Sequence, residues 1–83
     1  MITKEKIKIF KRYEGDISGW VRSSSKNEKI IMTDNDWYLI DSLLQDLSIV
    51  KKGLTSLEFS KSLDDKLRNL CDNEETITLI KTL

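Results

Sequence analysis

"MTDNDWYLIDSLLQDLSIVKKGL", residues 32–54, carries helix signals at both of its ends. Thr33 or Asp34 stands at the start with a side-chain oxygen able to accept an orphan backbone N–H, and acids fill the first turn. Lys51 and Lys52 fill the last turn, and Gly53 offers the left-handed residue that stops a helix. Between these ends Trp37, Leu39, Ile40, Leu43, Leu44, Leu47 and Val50 recur at helical spacing as a wide apolar stripe. So broad a stripe has to be covered by other helices, which makes this the central helix of an all-α fold.

Toward the N-terminus a first helix is expected from about Thr3 to Tyr13 or Glu14. Ile2, Ile7, Ile9, Phe10 and Tyr13 fall within an arc of roughly 160° on its wheel, with Lys4, Lys8, Lys11 and Arg12 on the other side. Gly15 then sits where a left-handed C-cap belongs. Residues 16–32 contain Ile17, Trp20, Val21, Ile30, Ile31 and Met32, too apolar for a free loop, so one or two short helical turns are expected there.

Toward the C-terminus, Thr55 and Glu58 have the spacing of a capping box ahead of the stripe Phe59, Leu63, Leu67, Leu70 and Cys71. Asp64 and Arg68 stand four apart, in the order that favours a surface ion pair. Asp72 and Glu75 repeat the capping spacing before Ile77, Leu79, Ile80 and Leu83, a fourth helix short enough to depend on docking. The chain has no proline, no repeat and no linker. The reading is one helical domain over residues 1–83: a compact irregular bundle of four main helices, with short helical turns between the first and second.

An 83-residue chain exceeds the length below which disulfides or metals are usually needed, but its core is modest and leaves no room for a deep cleft. The lone Cys71 cannot form an internal disulfide and reads as a small buried hydrophobe. Charges recur at every second or third position of "MITKEKIKIFKR", and the longest apolar run is "WYLI" at 37–40. No export signal or membrane span is legible, so a cytoplasmic protein with no membrane association is expected. The net charge is zero, yet residues 1–31 hold eight Lys/Arg against four acids and residues 32–83 hold six against ten. A basic first segment docked on an acidic body accounts for that asymmetry.

Chemistry finds little purchase. Without histidine, imidazole-based triads and nearly all zinc or iron sites are excluded. Glu14, Asp16, Ser18 and Gly19 match the opening positions of a calcium loop, but Ser25 stands where the bidentate carboxylate must be. The acid pairs Asp34/Asp36, Asp64/Asp65 and Glu74/Glu75 stand at helix starts or on outward faces, where capping and dipole effects explain them. The expectation is a protein without catalytic, metal or cofactor residues, and not an enzyme.

Binding remains. Tyr38 and Ile49 fall on the face of the central helix opposite its stripe, beside Asp41, Ser42 and Gln45. Either the first helix or the 16–32 segment covers them, or they form an apolar strip rimmed by polar groups, the footprint of a protein partner or of self-association. The acidic residues Asp41, Asp46, Asp64, Asp65, Asp72, Glu74 and Glu75 read first as a solvated face, and if a partner is basic they would steer its association. The sequence therefore points first to a small protein-binding module, in concrete form an antagonist or immunity-type inhibitor acting by surface occlusion. The alternative is a nucleic-acid or phosphorylated-ligand binder using Lys8, Lys11, Arg12, Tyr13, Trp20 and Arg22, a mixture of cations and aromatics able to grip phosphates and stack a base. A third possibility is a homo-oligomer subunit joined through Tyr38 and Ile49.

Overall fold

The computed structural model describes residues 1–19 and 32–83, and in it each helix starts on an oxygen-bearing cap. Helix α1, Lys4–Arg12, begins where Thr3 Oγ1 accepts the Lys6 N–H at 3.3 Å. Helix α2, Asp34–Lys51, begins at Thr33 with a reciprocal capping box. Thr33 Oγ1 accepts from the Asp36 N–H at 3.2 Å, and Asp36 Oδ2 accepts from the Thr33 N–H at 2.9 Å. Helix α3 is Leu57–Leu70 and helix α4 is Glu74–Lys81. Residues 17–19 are also helical. The remainder of the turns expected between the first two main helices, residues 20–31, lies outside the described residues.

Two caps lie one residue beyond their expected positions. Ser56, not Thr55, caps α3, its Oγ accepting from the Phe59 N–H at 3.2 Å. Serine is the better N-cap, and Glu58 still occupies the first turn, where its charge suits the dipole. Asn73, not Asp72, caps α4, its Oδ1 accepting from the Thr76 N–H at 3.0 Å. Asp72 is otherwise engaged, since its N–H donates to the Ile2 carbonyl at 3.1 Å and its carboxylate accepts from the Thr76 hydroxyl.

That contact belongs to a feature the periodicity does not encode. Ile2 and Cys71 form a parallel β-bridge, closed on its other side by the Ile2 N–H donating to the Leu70 carbonyl at 2.7 Å. The bridge seats the fully buried Ile2 between the end of α3 and the start of α4. One core cluster joins Ile2, Ile7, Ile9 and Phe10 to Trp37, Ile40, Leu43 and Leu47 of α2, Leu63 and Leu67 of α3, and Ile77 and Ile80 of α4. Every residue of the expected α2 stripe is buried or packed against this cluster.

The charge asymmetry is partly resolved inside the molecule. Lys6 Nζ lies 3.1 Å from Asp36 Oδ1 with both side chains largely buried, and Lys4 Nζ meets Glu75 at 3.5 Å near the surface. Lys8 and Lys11, on the outer face of α1, have no ion-pair partner among the described residues. Asp64 faces Lys81 of α4 at 3.5 Å instead of pairing with Arg68. The choice of partner contributes little, because exposed pairs are worth well under 1 kcal/mol.

Candidate functional site

Among the described residues, helix α2 is buried along the side of Trp37, Ile40, Leu43 and Leu47. Tyr38 is 78% exposed and Ile49 41% exposed, and Asp41, Ser42 and Gln45 between them are exposed as well. The steps from 38 to 41, 45 and 49 are those of helical neighbours, so the four predicted partner-binding residues run along one line. At the helical rise the line is roughly 16 Å long. Midway, Gln45 Nε2 donates to Asp41 Oδ2 at 3.0 Å, which holds the polar rim in place. Of the expected alternative, α1 leaves Tyr38 and Ile49 exposed, and the covering by residues 16–32 falls mostly on residues outside the description.

At the N-terminal end of this line a groove of about 440 Å³ opens beneath Tyr38. Local backbone chemistry at the end of α1 shapes it. Glu14 (φ 52°) and Gly15 (φ 76°) are consecutive left-handed residues that turn the chain sharply, with the Gly15 N–H donating to the Phe10 carbonyl at 3.0 Å. A Cβ on Gly15 would stand 3.1 Å from Phe10 Cζ, so glycine serves both the turn and the close approach. Phe10 in turn packs on Trp37, with ring centroids 5.3 Å apart and planes tilted by 38°. Gly15 and Ile17 form one wall, Phe10 and Trp37 the base, and Tyr38, Asp34 and Asp41 the rim.

The remaining candidates separate. Lys8, Lys11 and Arg12 are exposed together on α1, whereas Tyr13 is half-buried against the core. Trp20 and Arg22, the other members of that basic and aromatic set, lie outside the described residues, as does Ser25 of the calcium-loop reading. No group of three or more acids or cysteines is arranged to hold a metal among the described residues. No helix among them is long and apolar enough to cross a membrane. Cys71 is buried, and burial first, with the Asp72 charge second, pushes its thiol pKa up, which keeps it protonated and unreactive at neutral pH.

Helical periodicity does not reveal Leu54, 77% exposed in the turn after α2, or Leu57, 71% exposed as the first residue of α3. Both lie between the two stripes, beside Gly53 and the Ser56 cap. Their signal was the position itself: a large apolar residue in a capped turn belongs to neither helix face and has no core to enter. A second cleft, of about 280 Å³, lies between Leu44, Leu47 and Ser48 of α2 and Ile80 and Leu83 near the end of α4. Compared with known proteins, the chain matches no family model, no curated protein and no solved structure.

Proposed function

We propose that this protein is a small non-enzymatic binding module that recognises another protein through the outer stripe of α2, acting as an antagonist or immunity-type inhibitor by surface occlusion. The observation that carries this reading is the pairing of exposed Tyr38 and Ile49 on one face, rimmed by Asp41 and Gln45. Large apolar side chains set among polar ones at helical register form the common footprint of a protein interface. The core side of α2 already accounts for its stability, so the outer side is free to specify a partner.

Affinity capture from host lysate followed by native mass spectrometry tests this. The expected result is one stoichiometric protein, lost with the double variant Gln45→Lys/Ile49→Asp at an unchanged melting temperature. Capture of no protein by the folded chain would overturn the reading. A concentration-dependent oligomer of the chain alone, dissociated by Ile49→Asp, would replace it with self-association.

A second reading is supported by Lys8 and Lys11, which the acidic half of the chain leaves without ion-pair partners among the described residues. Exposed cations on one helix face suit phosphate contacts in a nucleic acid or a phosphorylated ligand. A high 260 to 280 nm absorbance ratio in the captured material, abolished by Lys8→Glu/Lys11→Glu, is the result this reading requires.

A further inference from the structure

The groove beneath Tyr38 has a chemistry of its own. Among the described residues its lining contains the aromatic residues Phe10, Trp37 and Tyr38, the carboxylates Asp34 and Asp41, and no cation. Among the described residues Asp34 has no side-chain partner, and Asp41 has only the neutral amide of Gln45, which donates to it at 3.0 Å. Both carboxylates are exposed at the mouth, while Phe10 and Trp37 are nearly buried at the base. We infer that this groove takes a cationic side chain, an arginine or lysine presented by the protein partner, with its aliphatic stem against the apolar wall and its charged head between Asp34 and Asp41.

Three physical points converge on that occupant. The volume, about 440 Å³, falls within the range of pockets that enclose small ligands and readily admits a long side chain. An arginine or lysine is apolar along its stem and charged at its tip, which matches a groove with apolar walls and an acidic mouth. Tyr38 offers an exposed ring at that mouth, on which a guanidinium or ammonium can stack. The start of α2 opposes a cation with about half a positive charge, but two full negative charges on Asp34 and Asp41 outweigh it. An anionic occupant would meet those same two carboxylates and is disfavoured.

The inference rests on the reading of α2 as a protein-binding face, and the test keeps the two apart. The ¹⁵N-labelled full chain is titrated with acetyl-tetra-arginine amide and, separately, with acetyl-tetra-glutamate amide. The expected result is saturable shifts at Gly15, Ile17, Tyr38 and the Trp37 indole with the arginine peptide only. Asp34→Asn/Asp41→Asn should then weaken binding roughly fivefold or more at an unchanged melting temperature. Tyr38→Ala should weaken it and Tyr38→Phe should not, because only the first removes the ring. Shifts centred instead on Asp64, Asp65, Glu74 and Glu75, or equal affinity in the asparagine variant, would overturn the inference. If a captured protein is lost with Gln45→Lys/Ile49→Asp but retained at full affinity by Asp34→Asn/Asp41→Asn, the binding face stands and the cationic occupant is wrong. If the arginine peptide seats in the groove but no protein is captured, the groove chemistry stands and the binding-module reading falls.

Discussion

Asp36 answers to two elements at once. Its Oδ2 closes the capping box of α2 with the Thr33 N–H at 2.9 Å, and its Oδ1 receives the Lys6 ammonium from α1 at 3.1 Å. Burial pushes its carboxyl pKa up, but the Thr33 N–H and the Lys6 charge outweigh burial and hold it below the ordinary aspartate value. A group whose folded pKa is lowered contributes stability that is present above its unfolded pKa and lost as pH falls through the folded one. The stabilisation by Asp36 should therefore be complete above about pH 4 and fade in more acidic solution. Asp36→Asn should cost about 1 to 2 kcal/mol at pH 7 in urea unfolding, and the gap to the wild type should narrow as the pH falls below the ordinary aspartate range. A gap independent of pH would show that the carboxylate's charge is not what matters.

Gly15 and Gly53 make a second comparison at this scale. Both are left-handed, at φ 76° and 69°, but a Cβ meets Phe10 at 3.1 Å in the first and nothing within 4 Å in the second. Gly53→Ala should cost about 1 kcal/mol, the left-handed penalty alone, and Gly15→Ala clearly more because Phe10 must also shift. Equal costs in thermal unfolding would mean that Phe10 yields freely. The sequence marked both glycines as helix stops. It gave no sign that Glu14 would also be left-handed, because a non-glycine residue carries no such preference of its own.

Among the elements, α2 was the most legible. Its cap, at Thr33 of the two candidates Thr33 and Asp34, its end before Gly53 and all seven stripe residues were readable, because capping and amphipathicity are local properties of the chain. Leu43, Leu47 and Leu63 are 2%, 7% and 4% exposed, as the stripes of α2 and α3 require. Leu→Ala at any of them should cost about 2 to 5 kcal/mol, whereas Leu54→Ala and Leu57→Ala should stay within about 0.5 kcal/mol. Chemical denaturation of the five variants checks the division, and a core variant costing under about 1 kcal/mol would contradict it. The caps of α3 and α4 were misplaced by one residue for a shared reason. Adjacent oxygen-bearing pairs, Thr55/Ser56 and Asp72/Asn73, offer two candidates each, and the backbone decides between them.

For the whole molecule, the bridge between Ile2 and Cys71 joins the first residues of the chain to the junction of α3 and α4, across most of the sequence. Ile2 is fully buried and supplies one of the largest enclosed side chains, so Ile2→Ala should cost about 2 to 5 kcal/mol. Because α4 has only eight residues and packs on α1, α2 and α3, it has little stability apart from that packing. Native-state hydrogen exchange should show the Ile2 and Asp72 amides protected together with α4, and Ile2→Ala should lower protection in both. Protection of α4 unaffected by Ile2→Ala would separate the bridge from the packing of the last helix.

By itself the sequence determined the helical class, the number and approximate bounds of the main helices, and which face of each turns inward. Those are decided by spacing over a few turns, where side-chain position is fixed by the helix repeat. Only the tertiary structure decided that Ile2 pairs with Cys71, that Asp36 shares its carboxylate with Lys6, and that the Glu14–Gly15 turn leaves a groove beneath Tyr38. It also decided that Tyr38 and Ile49, on the outer line of α2, are exposed. Each of these depends on which distant segments meet, and helical periodicity is silent about what lies across a helix from its own stripe.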